Sequence, residues 1–300
     1  MMEMQNPLYG DVIDAWYNKH RLRIMESTAY NYKMSIPLVK EYFQGLRVRD
    51  ITPDMVYDFV QYIVKRASSK TSATNYFKIL KMSLDFAVGR GYIHYSPADD
   101  VKFPKKIRVE VKPFQTSEVY ALLECDAPQW VKDGIMIAFR TGMRPGEIYA
   151  LKWTDINLDV GYISVQRSIS KACSETKETK TPAGVRRVEI DSKLKAYLES
   201  MESRGISEYV FPAPPKGRHK YRVPWNIAHF IRSMCQEAGI PYRNFYALRH
   251  THATMLFSLG VHPKIVQERL GHSSIKVTVD TYSHIVPGIQ RLAVEELEKI

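Results

Sequence analysis

Cysteine is scarce. Three residues in 300, Cys125, Cys173 and Cys235, are odd in number and far apart, with no CxxC pair and no disulfide framework. That usage excludes a disulfide-stapled scaffold and fits a reducing compartment. No stretch reaches about eighteen unbroken apolar residues, and the N-terminus lacks a basic-then-apolar signal pattern. These absences predict a soluble, cytoplasmic chain with no membrane partner. Internal repeats and low-complexity blocks are also missing. Acidic charge is in short supply: 32 Asp and Glu face 43 Lys and Arg, a formal net charge of +11.

A hydrophobic content of 45% with 11% aromatics is that of a folded globular chain, long enough for two cores. The positive charge predicts attraction to a polyanion through phosphate contacts. It is spread evenly, net +5 over residues 1–110 and net +6 over the remainder, so the basic character is not confined to a tail.

The first hundred residues read as a small helical bundle. Val12, Ile13, Trp16 and Tyr17 lie on one face of a helix over Leu8 to Lys19. A second helix is expected from Ser27 to about Phe43, kinked or interrupted at Pro37. Thr52-Pro53-Asp54 supplies an N-cap hydroxyl, a proline at the first helical position and an acid in the positive first turn. The helix it opens should bury Met55, Val56, Phe59, Val60 and Ile63. Another begins near Thr71 and stops at Gly89 and Gly91. A basic, proline-bearing linker over 101–112 follows. From residue 113 the pattern is mixed, with helices expected at 117–125, 130–141 and 145–152. Strands are expected around 161–165 and 185–190, joined by a mobile hairpin, and the chain turns helical again from Ser192. The run Lys216 to Arg222 reads as a basic loop before a helix near Pro224. The fold class is therefore mostly α with a small antiparallel sheet: a helical domain over 1–100 and a mixed α/β domain over 113–300. A short amphipathic helix is expected at 288–300.

Three motifs near the end carry chemistry. Arg249 in Ala247-Leu248-Arg249-His250, His272 in Leu270-Gly271-His272-Ser273 and Tyr282 in Thr281-Tyr282-Ser283-His284 can together hold and attack a phosphodiester without metal. Arg144, in Thr141-Gly142-Met143-Arg144-Pro145-Gly146-Glu147, supplies a second permanent cation for the phosphate oxygens. A tyrosine nucleophile suits reversible cutting, because the phosphotyrosyl bond keeps the energy needed for religation. His250, His252 and His272 do not make a metal site: two histidines at i and i+2 point to different helix faces, and no carboxylate motif accompanies them.

The Arg144 segment, with Ala150-Leu151-Lys152-Trp153-Thr154-Asp155-Ile156 after it, resembles the first signature box of the tyrosine recombinase (phage integrase) family. The Arg249, His272 and Tyr282 motifs resemble its second box. The helical first hundred residues resemble the family's SAM-like core-binding domain. The resemblance implies that Tyr282 is the nucleophile of a 3′-phosphotyrosyl bond and that Arg144 and Arg249 clamp the phosphate. It further implies that His272 hydrogen-bonds the phosphate and that Glu147 buttresses Arg144. The family's general acid is a lysine on a β-hairpin, a position matched by Lys180, with Lys177 close enough to be a rival. Three residues before Arg249 the family usually has histidine; here stands Tyr246, which can hydrogen-bond a phosphate but does not titrate near neutral pH.

The implied activity is site-specific DNA recombination and integration, without cofactor, metal or ATP. The implied partner is duplex DNA, gripped by a clamp of the two domains, in a tetramer joined through the C-terminal helix, with a directionality factor as a further candidate. The ten-residue gap from His272 to Tyr282 looks like integrases of Gram-positive phages and conjugative transposons. Those usually carry an N-terminal arm-binding domain, whereas the first helix here starts near Leu8, as in a Xer-like recombinase acting at simple core sites. A catalytically weak DNA-binding regulator and a type IB-like topoisomerase are the alternatives.

Overall fold

A computed structural model describes residues 5–67, 70–104, 112–170, 177–178, 184–217, 219–276, 278, 294 and 298. The chain divides into two compact units, residues 1–109 and 110–300.

The first unit holds four helices: α1 (Tyr9–His20), α2 (Glu26–Tyr42), α3 (Pro53–Arg66) and α4 (Lys70–Gly89). Their inward faces form one core around Tyr9, Ile13, Val39, Phe43, Phe59 and Leu80, all fully or almost fully buried. Inside it, Ser83 Oγ donates to Leu80 O, so the Tyr9 hydroxyl donates to Ser83 Oγ at 2.6 Å. Burial holds the Tyr9 phenol well above its usual range. The expected break at Pro37 does not occur, and α2 runs through it. Pro37 and Lys33, whose carbonyl loses its helical donor, are both on the exposed face, where water replaces the bond. The Thr52 cap is present, Thr52 Oγ1 accepting from Met55 N at 3.3 Å. Met55 itself is exposed, against expectation, whereas Val56, Phe59, Val60 and Ile63 are buried.

The second unit begins with α5 (Thr116–Glu124), α6 (Gln129–Thr141) and α7 (Pro145–Ile148). The helix expected over 145–152 is only four residues long, because the chain turns at Tyr149 and Lys152 pairs with Tyr209. Strands β1 (Ile156–Asn157), β2 (Tyr162–Val165) and β5 (Arg186–Glu189) form an antiparallel sheet of order β1-β2-β5. Ile163 faces Val188, and both are fully buried. A second ribbon pairs β3 (Arg167–Ser168) with β4 (Lys177–Glu178). Helices α8 (Ser192–Glu199), α9 (Ile227–Glu237), α10 (Ala247–Ser258) and α11 (Pro263–Leu270) complete the unit. Residues 200–215 are not helical, against expectation, whereas the described residues of the expected loop before α9 are non-helical, with Tyr221 paired to Pro212. Most of the loop expected between the strands and most of the helix expected at 288–300 lie outside the described residues.

Central helices α6 and α10 pack together in the main core with Ile135, Phe139 and Leu248. A satellite cluster of Ala253, Phe257, Val266 and Leu270 fastens α11 to α10. Together these contacts fix where α6 and α11 end. Among the described residues no helix is long and apolar enough to cross a membrane.

Thr52→Ala removes the cap of α3 and is expected to destabilise the first unit by about 1 kcal/mol. A urea melt of the full chain followed by helical circular dichroism measures it; an unchanged midpoint would show the cap to be inert.

Candidate active site

Arg249 sits in the first turn of α10 and is 1% exposed. Its Nη1 donates to Gly142 O at 2.7 Å and its Nη2 to Leu270 O at 2.7 Å. Both acceptors lie at helix C-termini, where carbonyls have no helical donor and carry the negative end of the dipole. Gly142 ends α6 with φ +68° and Gly271 ends α11 with φ +66°, both in the left-handed region that glycine adopts without strain. Gly142 is needed for space too: a Cβ there would stand 2.6 Å from Leu270 Cδ2 and 2.7 Å from His252 Cδ2. Among the described residues Arg249 has no carboxylate partner, and its buried Nε has no acceptor. Burial, then the neighbouring Arg144 guanidinium, lowers its pKa to about 10, so it remains a cation at neutral pH.

Arg144 is the N-cap of α7 and is about one-third exposed. Its Nη2 donates to Gly271 O at 3.2 Å, next along the chain from the carbonyl that holds Arg249. Its Nη1 donates to Glu147 Oε1 at 2.8 Å, and its main-chain N donates to Glu147 Oε2 at 2.9 Å. Glu147 is thus placed where the resemblance expected a buttress. Behind it stands a residue that sequence reasoning missed. Arg186, at the start of β5, forks onto both Glu147 oxygens at 3.2 and 2.9 Å and donates through Nε to Arg269 O at 2.7 Å. Burial pushes the Glu147 carboxyl up, but Arg186 and then Arg144 outweigh it and hold the group below its usual range. The one available hint was the alternation Val185-Arg186-Arg187-Val188, which turns one arginine inward.

Gly146 brings the β3–β4 ribbon close. A Cβ at this position would meet Ile169 O and Ser168 Oγ at 2.6 Å, and Ile169 N donates to Gly146 O at 3.0 Å. Lys177 lies on β4, while Lys180 lies outside the described residues.

His272 follows α11. Its Nδ1 is 2.8 Å from Thr278 Oγ1, and its main chain is pinned by Gln267 Nε2 donating to His272 O at 3.0 Å. Burial, then Arg249, Arg144, Arg186 and His250, drive its pKa down to about 3, so the ring is neutral at pH 7. His252 is structural: Nδ1 meets Phe139 O at 2.8 Å and Nε2 accepts from Arg269 Nε at 2.9 Å. Tyr246 is the N-cap of α10, 39% exposed, its ring edge-on to His250 at 5.3 Å between centroids. Tyr282 lies outside the described residues.

Arg144 and Arg186 thus share one carboxylate while Arg249 is held by carbonyls alone, leaving two positive charges in excess beside a neutral histidine. Such a site binds an oxyanion and stabilises added negative charge on it.

A family model described as "Phage integrase family" matches residues 112–287, and one described as "Phage integrase SAM-like domain" matches residues 10–105. A tyrosine recombinase XerC-like protein of Caldanaerobacter subterraneus subsp. tengcongensis is 26% identical over 100% of this chain and 85% of its own length. The ICEBs1 integrase of Bacillus subtilis is 27% identical over 87% of this chain and 74% of its own. A structure of the Tn1549 transposon integrase in complex with a circular intermediate DNA shares the fold, with a TM-score of 0.80 and 16% identity. It covers 97% of this chain and 100% of that one.

Arg186→Leu removes the fork behind Glu147, and breaking such a buried pair costs about 3–5 kcal/mol. The expected result is a large drop in the denaturation midpoint of the second unit, and retention of wild-type stability would show Glu147 to be held by Arg144 alone. For pH, His272 has a folded pKa of about 3 against the ordinary 6.5. Between these values the unfolded chain takes up a proton that the folded chain refuses, so stability falls as pH drops below about 6.5. His272→Gln is expected to flatten that slope between pH 7 and 5 in urea melts; an equal slope would show that His272 titrates normally when folded.

Proposed function

We propose, from the premise that the chain belongs to the phage integrase family and is a tyrosine-type site-specific recombinase, that it cuts and rejoins duplex DNA through a 3′-phosphotyrosyl bond to Tyr282. The observation that carries this reading is the meeting of Arg144 and Arg249, 105 positions apart in sequence, on the successive carbonyls of Gly271 and Leu270. In this reading their remaining donors bind one phosphate.

In the proposed step, the Tyr282 hydroxyl gives up its proton to solvent, its oxygen attacks phosphorus in line, and the bond to the 5′ oxygen breaks. The leaving 5′ oxygen takes a proton from Lys180, with Lys177 as the rival donor. The transition state spreads charge over the non-bridging oxygens, which Arg144 and Arg249 bind. His272 adds a hydrogen bond, and Tyr246 adds a neutral one where the family usually has histidine. Glu147 and Arg186 hold Arg144 in place. Attack by a 5′ hydroxyl on the phosphotyrosine reverses the chemistry and regenerates the tyrosine, so no ATP is consumed.

The proposed roles of the units are DNA core binding for residues 1–100 and catalysis for 113–300, with 101–112 as linker. Exchange between two duplexes breaks four strands, and each protomer brings one Tyr282, so a tetramer is the proposed active form. Its coupling element would be the segment 288–300, in a cytoplasmic setting and with a directionality factor as a further partner.

Incubation with nicked suicide duplexes carrying candidate sites is expected to yield a covalent protein–DNA adduct. Tyr282→Phe should abolish it. Arg249→Lys should slow it by about 10²-fold or more, because an ammonium cannot reproduce the fork. Binding without an adduct on any site that the protein recognises would favour the regulator. Adduct without exchange between two labelled duplexes would favour the topoisomerase.

A further inference from the structure

We propose that Thr278 is a positioning residue whose hydroxyl donates to Nδ1 of His272 and thereby keeps the imidazole proton on Nε2, the nitrogen offered to the DNA phosphate. The proposal deepens the phosphotyrosyl reading and rests on it for the identity of the anion.

Thr278 Oγ1 lies 2.8 Å from His272 Nδ1, and Thr278 is fully buried. Among the described residues, that nitrogen is the hydroxyl's partner and no other is found. Two proton arrangements fit the distance. If Nδ1–H donates to Oγ1, the buried hydroxyl proton has no acceptor among the described residues, and an unmet buried donor costs about 1–3 kcal/mol. If the hydroxyl donates to Nδ1, its proton is placed and the ring proton moves to Nε2. The second arrangement leaves the Nδ1–Thr278 pair fully matched.

The choice matters only for a neutral ring, since a cationic imidazole donates from both nitrogens. The groups around His272 are cationic or titratable in that sense: Arg249, Arg144, Arg186 and His250 all disfavour its charged form, as does burial. With the proton on Nε2 the neutral ring gives the phosphate a donor. With the proton on Nδ1 it would present a lone pair to an anion. The loop itself is fixed independently, His272 N donating to Gln267 O at 3.1 Å, so Thr278 is free to act on the ring alone.

The tautomer is read directly from ¹⁵N shifts of histidine side chains in the full chain at pH 7. The chain has nine histidines, and His272→Gln identifies the signals that belong to His272. Wild type is expected to show His272 protonated at Nε2 with Nδ1 unprotonated. Thr278→Val should give a mixed or Nδ1-protonated ring, and should slow adduct formation about 10-fold to 100-fold, below the loss of about 10²–10³ for removing a whole oxyanion donor. DNA affinity should stay the same. Thr278→Ser keeps the hydroxyl and should retain both the tautomer and the rate. An Nδ1-protonated His272 in wild type overturns the proposal. So does an unchanged tautomer in Thr278→Val, or equal slowing by Val and Ser, which would mark a packing role. The spectrum needs no DNA. Failure of wild type to form any adduct would sink the phosphotyrosyl reading while leaving the tautomer measurable, and should Thr278→Val not fold, the wild-type spectrum and Thr278→Ser still decide.

Discussion

The whole site depends on a guanidinium that is buried without a counterion among the described residues. Arg249 is held by the Gly142 and Leu270 carbonyls, and these neutral acceptors leave its full charge in place. A carboxylate in either position would have been the cheaper way to bury an arginine, because isolated charge is costly away from water. It would also have cancelled the positive potential that an oxyanion site needs. Helix C-termini resolve the conflict: they offer partial negative charge, enough to hold the cation and too little to neutralise it. The packing then serves this contact. Gly142 and Gly271 make the left-handed turns that expose the carbonyls, and Leu270 is anchored by Ala253, Phe257 and Val266.

The second arginine is treated differently, and the difference follows from exposure. Arg144 is about one-third exposed, so solvent would let its long side chain wander. Glu147 restrains it and caps its own main-chain N–H as well. Glu147 is itself nearly buried and is accommodated by the Arg186 fork, which also ties β5 to α11 through Arg269 O. The carboxylate is therefore shared between Arg144 and Arg186, and its single negative charge does not neutralise the cluster. One residue links the sheet, α7 and α11 around the hollow.

Much of this could be read in the chain because its signals are local. The Thr52-Pro53-Asp54 cap, the alternation at 162–165 and 186–189, and the glycine stops are short-range rules that the folded units obey. The arginine and histidine motifs, far apart in the chain, come together around the end of α11, whereas Tyr282 lies outside the described residues. What could not be read was tertiary. Arg186 and Arg187 are identical neighbours in composition, and only the register of β5 against β2 turns one toward Glu147. The carbonyls of Gly142, Leu270 and Gly271 are backbone groups that no side-chain pattern advertises. Pro37 misled because its cost depends on whether the orphaned carbonyl faces water, which is a property of the bundle. The helix cut short at Ile148 depends likewise on the pairing of Lys152 with the distant Tyr209.

The histidine completes the electrostatic logic. Crowded by Arg144, Arg186 and Arg249, and buried, His272 is driven to about 3 and stays uncharged. A ring with that pKa is a poor source of protons for a leaving oxygen at pH 7, since it holds a single proton that it does not readily surrender. Its useful property is a directed N–H, available at any pH where the fold persists. The same crowding makes an acid built inside the hollow self-defeating, because every added cation depresses its neighbours. A proton donor for the leaving group is better carried on a separate element that approaches when DNA fills the site and its phosphate offsets the repulsion. The β3–β4 ribbon itself is seated against Gly146 through Ser168 and Ile169. Division of labour between fixed, permanently charged arginines, a neutral donor and an acid delivered from outside is thus what the charge balance of this site calls for.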